Sequence, residues 1–260
     1  MKLTGPALPL SSGDVTTIAG YLGCHVAAVR AVLAVESTGK GFGPDNRPII
    51  LNEPHIFYRE LGAGPQRDWA VRDGLAYAKW GAQPYPKTQA ERYAWLDKAM
   101  AISETAALKS CSWGLGQVMG FNHKIAGFDT VQDFVAAMTR SEGAQLYAMA
   151  RFIVSNGLQK HLKALDWAKF AKGYNGAGYK QNAYDTKLAA AYAKRPASEK
   201  VTPPPATEAE LAALIGTSEP APVAPDPAPA PSPAPQPAPA PQAGFWAAIA
   251  SFFKRLLGLA

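Results

Sequence analysis

A run of proline and alanine near the carboxyl end limits what this chain can fold into. From Pro203 to Gln242 the sequence turns to these two residues, with PAPAPSPAPQPAPAPQ at its centre. Such a stretch buries no core and favours an extended, semi-rigid spacer. Composition therefore predicts a globular domain at 1–195, a Pro/Ala-rich linker at 196–243 and a terminal apolar segment at 244–260. Within the linker, TEAELAALIG favours a helical turn or two.

The globular part is basic and large enough for one sizeable core. The chain has 260 residues, of which 48% are hydrophobic, and residues 1–195 carry 23 Lys and Arg against 15 Asp and Glu. These cations are dispersed and accompany no nucleic-acid motif, so we expect anionic polymers as partners and no nucleic acid. MKLTGPALPLSSGD lacks the apolar core of a signal peptide, which predicts synthesis in the cytoplasm. We expect a monomer.

The pattern of the domain predicts a mainly α (α+β) fold. Asp14 is expected to cap a first helix that Gly23 ends, and HVAAVRAVLAVE forms the second helix. Ile49–Leu51 favours a short strand. Thr88 and Glu91 form a capping box before the long helix ERYAWLDKAMAISETAAL. SWGLGQVMGFN is expected to be a Gly-rich loop or the start of a helix.

The second helix ends on a glutamate that continues its apolar face. Val26, Val29, Leu33 and Glu36 fall three or four residues apart. A carboxyl on a buried face loses hydration, which raises its pKa and suits it to act as a general acid. Such an acid is what cleavage of a glycosidic bond requires. The alternative is an ordinary helix-end glutamate in a salt bridge or a cap.

Five motifs in one order carry a family resemblance. They are VESTGKGF, PDNRPIILNEPHIFYREL, ALKSCSWGLGQVMGFN, FAKGYNGAGY and YDTKLAAAYA, and they extend over nearly all of residues 8–195. In this order they resemble the phage-type endolysin N-acetylmuramidases, which belong to a lysozyme-like superfamily with goose-type lysozymes and lytic transglycosylases.

The resemblance implies a lysozyme-like fold that cuts the β-1,4 bond between N-acetylmuramic acid and N-acetylglucosamine of peptidoglycan, without a cofactor. It places the catalytic glutamate at Glu36 and predicts action on the wall after synthesis in a host bacterium. Contacts to substrate or to the acid are implied at five positions, Ser37, Gly116, Gln117, Tyr174 and Asn175. Turn and core structure is the alternative role for the last three of these.

A second carboxylate is expected on the β region that follows the acid-bearing helix. Glu53 in ILNEPH is the choice, with Asp45 in the preceding turn as the alternative. An ion pair of Glu53 with Arg47 or Arg59 would instead be structural. Hydrolysis and lytic transglycosylation both remain open from the residues alone, and the resemblance favours hydrolysis.

Other chemistries fit the sequence poorly. The four histidines are scattered, so we predict no metal site. Cys24 and Cys111 show no metal spacing and are interpreted as buried free thiols, although Cys111 beside Ser112 also invites a thiol-peptidase hypothesis. A protein that only binds walls or membranes is the non-enzymatic alternative.

The terminal segment GFWAAIASFFKRLLGLA is amphipathic when placed on a helix. At 17 residues with two cations it is too short and too charged to span a bilayer, so we predict a helix lying in the membrane interface. Docking on the globular domain or self-association is the alternative. The predicted membrane-contacting residues are Phe245, Trp246, Ile249, Phe252, Phe253, Lys254, Arg255, Leu256 and Leu257.

Overall fold

The computed structural model describes residues 2–36 and 39–216, and at Glu36 and Ala177 it describes the backbone alone. The predicted membrane segment, most of the predicted linker, Ser37 and the Glu36 carboxyl therefore lie outside what is described. The described part is mainly helical with one small sheet, as the sequence predicts.

The first two helices meet at a tight corner. Helix α1 spans Ser12–Leu22 and α2 spans Val26–Glu36. The cap of α1 is Ser11, whose hydroxyl accepts from the Asp14 amide, while the Asp14 carboxylate accepts from the Ser11 amide. Asp14 thus completes a capping box one turn inside the helix, which corrects its predicted position as the cap. Gly23 ends α1 with φ +63°, a left-handed conformation that glycine adopts without strain.

Nine further α-helices follow in the described part. They are α3 (Pro54–Leu61), α4 (Pro65–Arg72), α5 (Gln89–Lys109), α6 (Val131–Arg140), α7 (Glu142–Ser155), α8 (Gln159–Lys163), α9 (Trp167–Asn175), α10 (Tyr184–Ala193) and α11 (Glu208–Ile215). Short 3₁₀ helices occur at Gly120–Asn122, Ala177–Asn182 and Ala197–Glu199. The predicted capping box of Thr88 and Glu91 starts α5, and non-helical dihedrals at Ser103 interrupt that helix.

Three short strands form an antiparallel sheet in the order β1-β2-β3. Their bounds are Ile50–Asn52 (β1), Cys111–Trp113 (β2) and Val118–Met119 (β3). Ile50 pairs with Trp113, and Asn52 pairs with Cys111. The predicted Gly-rich loop or helix start is therefore corrected to a hairpin, because Gly114 and Gln117 both take positive φ and turn the chain between β2 and β3.

Helix α7 runs through the centre of the core. Gly143 to Phe152 is buried at every position but Arg151, and α7 packs on α1, α6 and α11. A helix with apolar residues on all sides is what a central position requires. Helices α2, α9 and α10 pack together on one side of the domain, and α3 and α5 pack beside the sheet.

The first part of the predicted linker is packed on the domain. The Val26 amide donates to the Val201 carbonyl at 3.1 Å, and Arg30 Nε lies 3.0 Å from a Glu199 carboxylate oxygen. Helix α11 follows, capped by Thr207, and buries Leu214 against the start of α7. Contacts with the domain continue to Gly216, past the boundary expected at residue 196.

No single helix between residues 2 and 216 is long and apolar enough to cross a membrane. One pair of consecutive helices, Ser12–Leu22 and Val26–Val35, is bent by 108° and has the length and composition of a broken membrane span, by those two criteria alone.

Candidate active site

Glu36 ends helix α2 and so lies at one end of the antiparallel pair formed by α2 and α10. The His25 ring nitrogen Nδ1 lies 2.7 Å from the Tyr192 hydroxyl, so the start of α2 meets the end of α10. Both helices are about 15 Å long, and they pack along each other. The start of α10 at Tyr184 therefore lies at the same end of the pair as residue 36. We call this the Glu36 end.

The chain that leaves α2 is held by two side chains from the start of α7. Glu142 accepts from the Gly41 amide at 2.6 Å through Oε1 and from the Leu10 amide at 2.9 Å through Oε2. Gln145 accepts from the Leu115 amide at 2.6 Å and donates to the carbonyls of Met138 and Gly41. A β-carbon at position 41 would overlap the end of the Gln145 side chain, so a larger residue there would displace the Gln145 amide from its hydrogen bonds.

Backbone hydrogen bonds and the Gln145 side chain join this chain to the sheet. The Ile49 amide donates to the Gly41 carbonyl at 2.9 Å, and the Gly114 amide donates to the Ile49 carbonyl at 2.8 Å. A β-carbon at Gly114 would also overlap Gln145. Gln145 therefore fixes the chain at Gly41 relative to the β2–β3 turn, and Glu142 ties the same residue to Leu10; we call these two side chains the clamp.

The β2–β3 turn itself is internal. The Gln117 amide nitrogen donates to the carbonyls of Gly114 (2.7 Å) and Ile49 (3.0 Å), and its oxygen accepts from Ser112 at 2.7 Å. A β-carbon at Gly116 would meet Met149 of α7. Both positions are buried and hold the turn, and the Gln117 amide protons are already used, so their contact with substrate stays a prediction.

Tyr174 and Asn175 are the last two residues of α9, and this end of α9 lies at the Glu36 end. Trp167, at the start of α9, packs on Tyr192 with ring centroids 5.5 Å apart, so α9 runs from the far end towards the Glu36 end. The Tyr174 ring stacks on Phe170 and meets Phe152 edge-on. Both Tyr174 and Asn175 are largely buried, and their contact with sugar stays a prediction.

Glu53 lies at the start of α3, beyond the other end of β1, and is only 2% exposed. Its carboxylate accepts from the Tyr85 hydroxyl at 2.8 Å, and His55 Nδ1 lies 3.2 Å from the same oxygen. Arg47 and Arg59 pair instead with Asp45 and Glu60. Tyr85 lines an open cleft of about 390 Å³, whereas Glu53 lies behind it.

Asp45 lies in the tight turn between Gly43 and Arg47, and 44% of its side chain is exposed. Burial works against its charged form, but hydrogen bonds from Arg47 outweigh this effect and hold the pKa of the Asp45 carboxyl below its usual value. The Arg47 guanidinium is itself held 4.0 Å over the Tyr93 ring. Asp45 is therefore an ionised and reachable carboxylate near the segment that follows Glu36.

Residues 25–195 of this chain match the sequence pattern of the N-acetylmuramidase family. The chain belongs to the N-acetylmuramidase family. Its fold is similar to the crystal structure of the Burkholderia AP3 phage endolysin, with a TM-score of 0.66 and 42% sequence identity over 71% of each chain. None of the curated proteins matches it. The chain is thus a glycoside hydrolase of the muramidase type, and peptidoglycan is its substrate.

The cysteines of this muramidase are poor nucleophiles. Cys24 and Cys111 are buried and unpaired with each other, as predicted. Burial raises the pKa of each thiol to about 12, despite a hydrogen bond from Asn52 to Cys111. A thiol peptidase needs a thiolate near neutral pH, which the Cys111 site opposes. In the described ranges no three His, Cys, Asp or Glu residues gather as metal ligands.

Sequence reasoning missed the clamp of the muramidase. Glu142 and Gln145 lie in SEGAQLYAMA, which the pattern identifies only as a helix. A usable signal was Gln145 itself, a polar residue on a helix that is otherwise apolar on all sides and one that must find partners when buried. The identity of those partners, Gly41 and Leu115, required the fold.

Proposed function

We propose that this muramidase is an endolysin that hydrolyses the β-1,4 bond between N-acetylmuramic acid and N-acetylglucosamine, with Glu36 as general acid. The observation that carries the proposal is the placement of residue 36 at the end of α2, where the clamp holds the following chain. Tyr174 and Asn175 end α9 at the same place. An acid held beside residues that bind the sugar is what protonation of a glycosidic oxygen needs, and we assign these roles to Glu36 and to Tyr174 and Asn175.

Asp45 supports the role of second carboxylate better than Glu53 does. A group that stabilises positive charge on the sugar or positions water must reach the substrate. Both carboxylates accept hydrogen bonds, Asp45 from Arg47 and Glu53 from Tyr85, but Glu53 is only 2% exposed and lies behind Tyr85. Asp45 is accessible and ionised, and it follows Gly41 by four residues. We therefore transfer the predicted role from Glu53 to Asp45.

The Glu36→Gln variant tests the acid. The amide keeps the shape of the side chain but cannot donate the proton, so turnover of purified peptidoglycan should fall by about 10²–10⁴-fold with unchanged folding. Glu104→Gln, which replaces an α5 glutamate on another surface, is the matched control and should retain wild-type activity. Near-wild-type turnover by Glu36→Gln would remove Glu36 from the mechanism.

Mass analysis of the released sugars tests the type of cleavage. Hydrolysis at this bond leaves reducing N-acetylmuramic acid ends, and we expect these to dominate. Chiefly 1,6-anhydro ends would identify a lytic transglycosylase instead. Reducing N-acetylglucosamine ends would show that the enzyme cuts the other glycosidic bond.

For residues 244–260 we propose a helix in the membrane interface, bound to anionic lipid. At about 100° per residue the aromatic and aliphatic side chains share a broad face, and Lys254 and Arg255 lie opposite. The Pro/Ala stretch keeps this segment away from the domain. Deletion of residues 244–260 should abolish binding to anionic liposomes and leave turnover of purified peptidoglycan nearly unchanged. Equal liposome binding by both proteins would contradict the proposal.

A further inference from the structure

Positive charge is concentrated in about a quarter of the catalytic domain. Residues 151–195 contain nine Lys and Arg but only two Asp and Glu, whereas residues 1–150 contain fourteen and thirteen. This charged region comprises the end of α7 followed by α8, α9 and α10, with a 3₁₀ helix between the last two, and α8, α9, α10 and the 3₁₀ helix pack on one another. The excess charge is thus a property of one surface region and not of the whole domain.

The lysines of this region separate into two groups along the helix pair. Asn175 ends α9 and Tyr184 starts α10, both at the Glu36 end. Lys172 lies in the last turn of α9, Lys180 in the 3₁₀ helix and Lys187 in the first turn of α10, and all three are exposed. These three, which we call the Glu36-end lysines, flank the Tyr174–Asn175 segment.

The other group lies at the far end. Lys194 follows α10 beyond Tyr192, which contacts His25 at the start of α2. Lys163 of α8 lies against Gly23, in the corner between α1 and α2, and Lys160 is on the same short helix. These lysines share the charge of the region but are separated from residue 36 by about the length of α2, roughly 15 Å.

The two acids of the region leave most of this charge uncompensated. Asp166 lies 2.8 Å from Lys169, which accounts for one pair near the far end. Asp185 lies in the first turn of α10, where it accepts from the Thr186 amide. One carboxylate therefore accompanies three exposed cations at the Glu36 end.

We propose that the Glu36-end lysines bind the carboxylates of peptidoglycan stem peptides. The inference rests on the proposed function, since it takes the glycan to lie at that end. Stem peptides extend from the muramic acid units, so a strand held there presents carboxylates at its sides. Exposed lysines on flexible stems suit such variable anions better than a rigid pocket would. Anionic lipid is a different source of negative charge, and the test separates the two.

The expected effect is on substrate capture. Each exposed ion pair strengthens binding by up to about fivefold, and salt screens it within about 8 Å at physiological ionic strength. Replacing all three lysines should raise the half-saturating concentration of peptidoglycan by about five- to twentyfold at low salt. The maximal rate should change by less than about twofold, because the lysines do not act on the scissile bond.

The experiment compares two triple variants of the full chain. The first is Lys172→Gln/Lys180→Gln/Lys187→Gln. The matched control removes the same charge elsewhere with three exposed lysines, Lys98→Gln/Lys160→Gln/Lys194→Gln. Initial rates of reducing-end release are measured on intact peptidoglycan and on glycan strands stripped of stem peptides, at about 20 mM and about 300 mM salt.

We expect the higher half-saturating concentration only for the first variant, only on intact peptidoglycan, and only at low salt. An equal effect in both triple variants would show that net charge alone matters and would overturn the proposal. An equal effect on stripped glycan would place the contact on the sugars and overturn it too. If the first variant loses only binding to anionic vesicles, lipid is the partner. Failure of the proposed function itself looks different: the wild type would release no reducing ends from either substrate.

Discussion

At the Ile49 end of β1, side chains from α7 hold the backbone, whereas at the Asn52 end the carboxylate itself is held. Glu142 and Gln145 bind amides and carbonyls around Gly41, and Asp45 nearby stays 44% exposed. Glu53, beyond the other end, is 2% exposed and occupied by Tyr85. The difference separates two uses of negative charge. A carboxylate that acts on substrate must remain reachable, while one that is buried needs donors and serves the fold.

Replacing each of the two carboxylates by its amide gives the largest expected difference in turnover between the two ends of β1. Asp45→Asn should lower turnover by about 10²-fold, because the amide keeps the turn but loses the charge that stabilises the transition state. Glu53→Gln, normalised to folded protein, should stay within about threefold of the wild type. Reducing-end release together with circular dichroism measures both quantities. The reverse order of activities would return the catalytic role to Glu53.

The clamp predicts the next largest effect. Gln145→Ala removes the bond to the Leu115 amide and both donations, so the segment after Glu36 loses its fixed position. Turnover should fall by about 10- to 100-fold, since small displacements of catalytic groups are costly. Gln132→Ala is the control, because the Gln132 amide also donates two hydrogen bonds, but to the side chains of Glu104 and Thr105, and joins α6 to α5. Similar losses in both variants would assign the effect to general stability.

At the Asn52 end the effect should appear in stability instead. Tyr85→Phe leaves the buried Glu53 carboxylate without its hydroxyl donor, which should lower the free energy of unfolding by about 1–3 kcal/mol. Adding Glu53→Gln should recover part of this loss, because the two groups act as one pair. Urea unfolding of the two single variants and the double variant measures the coupling. Strict additivity would mean that the pair does not stabilise the fold.

A separate contrast between folded and unfolded chain concerns the thiols at alkaline pH. Burial raises the folded-state pKa of Cys24 and of Cys111 to about 12, while an unfolded thiol ionises near pH 8.5. The folded state therefore binds more protons in this window, so stability is complete below about pH 8.5 and falls as pH rises towards 12. Replacing both cysteines with alanine should flatten this slope between about pH 9 and 10, before tyrosines ionise. An unchanged slope in urea titrations would contradict the shifts.

Local signals in the sequence identify the start and end of several elements. The capping box at Thr88, the left-handed Gly23 and the strand near Ile50 are all read from nearby residues, and all are found. The SWGLGQ segment defeats this approach, because a positive φ at Gln117 is uncommon for residues other than glycine. The side-chain bonds that hold Gln117 come from Ile49 and Ser112, one of them 68 residues away.

The candidate site likewise combines features set by neighbouring residues with features set by residues far apart in the sequence. The position of Glu36 at a helix end is a short-range property, and the helix ends there. The burial of Glu53 depends on Tyr85, 32 residues further on, and no spacing rule connects the two. Composition did not predict that residues 196–216 pack on the domain, because their prolines resemble those that follow. Val201 and Leu214 nevertheless bond to residues of the domain.

Because the chain is packed on the domain as far as Gly216, the linker between the enzyme and its terminal segment is shorter than composition predicts. Residues 217–243 would reach about 80 Å as an extended polyproline-like chain, against about 150 Å if the spacer began at residue 196. A domain tethered at that radius searches a volume several-fold smaller, and its local concentration at a surface that holds the terminal segment rises accordingly. If the terminal segment binds a surface as proposed, the packing of α11 on the domain limits how far from that surface this muramidase can cut.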